Sequence, residues 1–250
     1  MTTSSLLLLI LLFFVTSAIG VVTGSNSLIT VPVMFQFGIE PKVAVATNMF
    51  GLTFMAIGAT IPFLRQGAID VKRVSPLILL TVVGSAIGAG LVGFISDKTM
   101  PIIVSVSMIV VTIFTLVKPD AGIAKSETVS HRFLIITYIL TLLLGIYGGL
   151  YSGGYVTMLT ASFVAFFGMT FTESVASTKL VNVFSSSIAT IIFMWQGLVD
   201  YELGVILAVT MFVAAYAGAK IVTKLNDVWL KRIFLLTVLI LAVKTIFDFI

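Results

Sequence analysis

Lys179 stands inside an otherwise apolar run, in the order Thr178-Lys179-x-x-Asn182-x-x-Ser185, with Ser186 next. A spacing of three puts Lys179 and Asn182 on one face of a helix. An ammonium, an amide and hydroxyls gathered away from water can hold a small anion by charge and hydrogen bonds together. Lys179 also lies within two turns of a helix end, from which its stem could carry the charge to lipid headgroups. The sequence leaves both readings open. A second polar set, Ser25-Asn26-Ser27, follows Gly20-x-x-x-Gly24. Its second-half counterpart reads Gly145-x-x-Gly148-Gly149-x-x-Ser152-Gly153-Gly154. Such stretches break helices, because glycine turns the chain and lets backbone approach a ligand closely. The same glycines serve equally as small residues for close helix packing. Thr47 and Asn48 supply the uncharged first-half neighbourhood corresponding to Lys179. The candidate substrate-binding residues are therefore Ser25, Asn26, Ser27, Thr47, Asn48, Gly153, Gly154, Lys179, Asn182 and Ser185.

Other chemistries lack their residues. No cysteine is present, which removes disulfides, thiolate catalysis and thiolate metal sites. The single histidine, His131, sits beside Arg132 in a polar stretch and reads as a solvated loop residue. No Asp or Glu lies deep within an apolar run, and Glu173 stands at an edge. The expectation is no catalytic residue, no metal, no cofactor and no enzyme. A net charge of +4 is spread over short connections rather than along one stripe, which argues against nucleic acid.

The elements that must position these residues are membrane helices. The chain of 250 residues is 59% hydrophobic and only 10% charged, against about 25% charged in soluble domains. Its mean hydropathy is +1.22. Spans of about 20 apolar residues fall at Leu6–Thr23, Val43–Leu64, Val74–Ile95 and Pro101–Val117, then at Phe133–Tyr151, Val175–Trp195, Leu203–Val222 and Leu230–Phe249. Two shorter pieces, Leu28–Phe37 and Val156–Phe167, are too short to span and read as half-membrane or re-entrant helices. The leucine-rich beginning resembles a secretory signal but lacks a basic n-region, and is read as a retained segment.

Shifted by 130 residues, the sequence matches itself. Gln66-Gly67-x-x-Asp70 falls on Gln196-Gly197-x-x-Asp200, Gly38 on Gly168, and Asp97 on Asp227. From Gly38 to Asp97, 17 of 60 positions are identical without a gap. Gly67 and Gly197 read as helix ends, and Asp70, Asp97, Asp200 and Asp227 as N-caps. Equivalent connections carry opposite basic bias: Arg65, Lys72 and Arg73 in one half face a counterpart at 195–204 with no Lys or Arg, whereas Lys220, Lys224, Lys231 and Arg232 face Lys98 alone. With basic connections inside, the halves run in opposite senses and both termini lie outside the cytoplasm. The expected fold is an all-α polytopic membrane protein of two inverted repeats, each with three or four spans plus a short broken helix. The division is 1–118, a cytoplasmic loop 119–132, and 133–250.

The ordered motifs resemble the TauE/SafE sulfite exporter family. In the first half these are Val31-Pro32, Pro41 and Ala46-Thr47-Asn48. In the second they are Gly145-x-Tyr147-x-Gly149, Thr178-Lys179-x-x-Asn182-x-x-Ser185, Gly197, Gly218-Ala219, Arg232 and Lys244. The family's first glycine triplet is here Ser25-Asn26-Ser27, and its Gly-Pro-Gly turn is Ser152-Gly153-Gly154. The resemblance implies transport, usually outward, of sulfite, sulfonates or related small anions. The expectation is thus a plasma-membrane permease whose partners are a small anion and the bilayer, with oligomeric state open. The alternatives are an anion channel of the same architecture and a noncatalytic assembly subunit.

Overall fold

A computed structural model of the chain describes residues 3–24, 26–107, 130–226, 228–229 and 232. The described residues form helices α1 (Thr3–Thr23), α2 (Ser27–Gln36), α3 (Pro41–Arg65), α4 (Val71–Val92), α5 (100–107), α6 (His131–Leu150), α7 (Tyr155–Phe166), α8 (Phe171–Trp195) and α9 (Tyr201–Val222). Six of them (α1, α3, α4, α6, α8 and α9) are long and apolar enough to cross a membrane. Their outward faces carry large apolar side chains, such as Leu7, Leu11, Leu79, Leu143 and Val209, as a hydrocarbon solvent requires. The short helices α2 and α7, with 10 and 12 residues, reach only about 15–18 Å at 1.5 Å per residue, half a bilayer core.

Helix borders follow the shift seen in sequence. The pair α3 and α8, 25 residues each, and the pair α4 and α9, 22 each, begin 130 positions apart. Among the described residues six glycines have positive φ, and they too pair at that spacing: Gly24 with Gly154, Gly38 with Gly168, Gly67 with Gly197. Asp70 accepts from the Arg73 N–H and Asp200 from the Leu203 N–H, so both cap the helices they precede. Packing is reciprocal: α1 lies on α9 as α6 lies on α4, α3 on α9 as α8 on α4, and α3 meets α8. That pattern is compatible with halves of opposite membrane sense.

Very close contact holds α4 to α6. A Cβ at Gly84 would come within 2.6 Å of the Leu142 carbonyl oxygen, and one at Gly88 within 2.7 Å of the Leu150 nitrogen. Glycine is the residue that permits such approach.

Some sequence expectations shift. The helix expected from Val175 starts at Phe171, because Thr170 and Glu173 form a reciprocal capping box four residues upstream. His131 is exposed, but it opens α6 rather than lying in a loop. The turn before α5 is held by Ser96, whose Oγ accepts from the Thr99 N–H, while Asp97 pairs with Lys42 at 3.6 Å. Asp227, the span Leu230–Phe249 and most of Pro101–Val117 lie outside the described residues.

Candidate functional site

Two helix breaks meet at one cavity. The first is the turn between α1 and α2, where Gly24 has φ of 68°. The second joins α6 to α7 through Tyr151–Gly154, with Gly154 at φ of 77°. At positive φ a side chain would be strained, and at Gly24 a Cβ would also stand 2.7 Å from Val156. The breaks are stitched together across the repeats. Ser27 Oγ and Ser152 Oγ share a hydrogen bond of 2.8 Å. The Tyr151 hydroxyl donates to the Ser27 carbonyl at 2.9 Å, and Thr157 Oγ1 donates to the Thr23 carbonyl at 2.6 Å.

Behind them, α3 contributes Asn48, whose amide donates to Ser27 Oγ and accepts from Thr30 Oγ1, each at 2.8 Å. From α8 comes Lys179, which is 3% exposed and donates from Nζ to the Gly20 carbonyl at 3.0 Å. Its ammonium therefore turns inward to the end of α1, whose terminal carbonyls carry partial negative charge, and does not reach out to headgroups.

The cavity is lined by the polar Asn26, Ser27, Ser152, Lys179 and Asn182 and by the apolar Leu52, Met55, Ala56 and Val156. Asn26 spans both characters, with Nδ2 donating to Ser17 Oγ at 3.4 Å and resting 3.7 Å from Met55 Sδ. Its buried Oδ1 has no hydrogen-bond partner among the described residues. Two pairs of lining positions are 130 apart, Asn26 with Val156 and Leu52 with Asn182, so the space sits where the halves face each other. Among the described residues no ion pair reaches Lys179, and no group of three His, Cys, Asp or Glu gathers anywhere.

Of the residues singled out by sequence, Asn26, Ser27, Lys179 and Asn182 line the cavity, and Asn48 stands one bond behind. Ser25 is outside the described residues. Gly153 packs beneath the Tyr151 ring, and its carbonyl accepts from the Tyr147 hydroxyl. Gly154 makes the turn into α7. Ser185 belongs to a separate polar cluster, bonded to Ser85 Oγ at 2.6 Å beside the Tyr155–Thr81 bond. Thr47 points elsewhere and accepts from the Asp200 N–H at 3.0 Å, tying α3 to the α8–α9 turn. Thr47→Val is accordingly expected to cost about 1 kcal/mol of stability, read as a lower thermal midpoint. A wild-type midpoint would show that the Thr47 bond does not tie these elements. Sequence reasoning missed the Gly20 carbonyl and the apolar wall, for which apolar residues in an apolar chain give no signal.

A family model described as "Sulfite exporter TauE/SafE" matches residues 9–245. The probable membrane transporter protein ORF9 of Sinorhizobium sp is 24% identical over 235 residues, covering 94% of this chain and 90% of that protein. The probable membrane transporter protein YfcA of Escherichia coli strain K12 is 26% identical over 229 residues, 91% of this chain and 84% of the relative. A third, YdhB of Bacillus subtilis strain 168, is 26% identical over 215 residues, 84% and 87% of the two chains. No solved structure matches.

Proposed function

The chain belongs to the sulfite exporter TauE/SafE family, and from that premise we propose that it carries a small anion such as sulfite or a sulfonate across the plasma membrane by alternating access between inverted repeats. One observation carries the reading: two broken helices meet at a cavity that holds a buried ammonium, amides and hydroxyls, with no carboxylate beside it. An anion removed from water needs its charge met and its oxygens bonded. Lys179 supplies the charge, Asn26, Ser27, Ser152 and Asn182 the polar contacts, and the first turns of α2 and α7 the N–H groups that helix geometry leaves without an intrahelical acceptor. The wall of Leu52, Met55, Ala56 and Val156 suits the carbon part of a sulfonate.

Direction follows from charge. With basic connections inside, both termini lie outside, and an inside-negative potential favours anion exit by about 2.3 kcal/mol per charge per 100 mV. Export then requires no carboxylate relay. The Ser27–Ser152 bond joins the two breaks, and its parting opens the cavity to one side.

Purified protein in liposomes tests this. Efflux of sulfite or sulfoacetate is expected to saturate with concentration, and Asn182→Ala to lower it by about tenfold, the worth of one hydrogen bond to a charged ligand. Large unitary currents would replace the carrier by a channel. Absence of flux with every anion tried would leave an assembly subunit.

A further inference from the structure

On the flank of α3 and α9 lies an apolar groove that shares no residue with the central cavity; Phe50, Phe54, Val205, Ala208, Val209 and Phe212 line it. Its rim is open to the surroundings, with Val205 54% and Val209 61% exposed. One end of the groove leads to charge. The Phe212 ring stacks on Tyr216 with centroids 6.5 Å apart and planes 6° from parallel. The Tyr216 hydroxyl accepts from Arg65 Nη1 at 3.5 Å, and Lys220 Nζ stands 4.9 Å from the ring centroid. Both cations are exposed, and neither is ion-paired among the described residues.

The repeat supplies an internal control. At the positions 130 residues away, Phe50 and Phe212 become Leu180 and Val82 and Phe54 stays aromatic as Phe184, while Arg65, Tyr216 and Lys220 become Trp195, Ala86 and Gly90. Two of the three lining rings and both cations occur together on one flank and are replaced together on the other. A requirement for solubility in lipid would not couple them, because apolar side chains of any shape satisfy it.

We propose that this flank binds one anionic phospholipid, with an acyl chain in the groove and its phosphate between Arg65 and Lys220. The groove lies about 12–22 Å from Lys220 along α9. The lysine stem and helix tilt bring that within reach of the deeper half of a chain. A zwitterionic lipid would fill the groove but bring no net charge to the cations. A second copy of the chain docked here by a two-fold axis along the membrane normal would bring Arg65 and Lys220 of both copies to one level of the interface, where four like charges repel. The site is independent of what crosses the membrane.

Native mass spectrometry of the full chain, titrated with phosphatidylglycerol and phosphatidylcholine of equal chain length, tests the assignment. Phosphatidylglycerol is expected to bind at least tenfold more tightly, since each basic residue near a membrane surface is worth about fivefold. Arg65→Gln with Lys220→Gln should abolish that preference. Ala208→Phe, which fills the groove and leaves the charges, should weaken phosphatidylglycerol at least fivefold. Equal binding of the two lipids would overturn the proposal, as would a preference that survives the double variant, or glycerol phosphate alone binding as tightly as the whole lipid. A dimer that falls to monomer in Ala208→Phe would give the groove to a second copy and overturn it as well.

Discussion

Replacing Lys179 by methionine is expected to cut anion flux on the order of 100-fold while leaving the protein at least as stable as the wild type. The two halves of that expectation have different origins. An ammonium 3% exposed inside a membrane helix has lost its hydration and regains only the Gly20 carbonyl at 3.0 Å among described partners. Burying such a charge costs several kcal/mol, so an apolar side chain of similar length relieves the cost instead of adding to it. The Gly20 carbonyl keeps its bond from the Gly24 N–H at 2.9 Å. The anion, by contrast, loses a charge-assisted bond worth up to about 3 kcal/mol, or about two powers of ten in affinity. Lys179→Arg retains the charge but brings a larger planar group, and is expected to fall between. Flux near the wild-type level in a monodisperse Lys179→Met protein would end the case for the ammonium as the anion's partner.

Gly88→Ala should lower the thermal midpoint in detergent by several degrees, the equivalent of about 2–3 kcal/mol, whereas Gly90→Ala should not. On helix propensity alone both changes are favourable, by about 1 kcal/mol. Packing decides otherwise at one of them. A Cβ at position 88 falls on the Ile146 carbonyl oxygen and 2.7 Å from the Leu150 nitrogen, whereas at position 90 nothing lies within 4 Å. The opposing atoms are backbone and cannot swing aside, so α4 and α6 must part. That separation stretches the bond from Ser85 Oγ to the Gly145 carbonyl, now 3.1 Å. Equal midpoints for the two variants would show that the helices are not in this contact.

The residues that stop and start helices made much of this fold legible. Gly67, Gly197, Asp70 and Asp200 are read by local rules that need no tertiary context, and the structure uses them as those rules say. The capping box at Thr170 and Glu173 obeys an equally local rule, yet a hydropathy window passes over it because the segment is polar. That oversight set Lys179 too near a helix end, where headgroup contact competes with burial. The start at Phe171 puts it about 12 Å along the helix. Facing is harder to read than position. Thr47 and Asn48 are neighbours in sequence but about 100° apart around a helix. In an apolar chain nothing local says which one turns toward Ser27 and which toward the Asp200 turn. Ser185 follows the same face as Lys179 and Asn182 by spacing, but Ser85 on α4 captures it. Which neighbour wins is a tertiary fact.

The cavity's twin positions are unlike: an amide faces valine at 26 and 156, and leucine faces an amide at 52 and 182. A carrier whose repeats exchange shapes would therefore grip its cargo with different strength when facing each side. Microscopic reversibility forbids net work from that difference alone, so any ratio between inward- and outward-facing dissociation constants must equal the ratio between the loaded and the empty carrier's conformational equilibria. Where the loaded carrier divides evenly between the two sides, a tenfold mismatch in grip would leave the unloaded protein about ten to one on its weaker-binding side. Under the proposed alternating access, the unmatched walls thus bear on where the empty carrier rests and which leg of the cycle limits turnover.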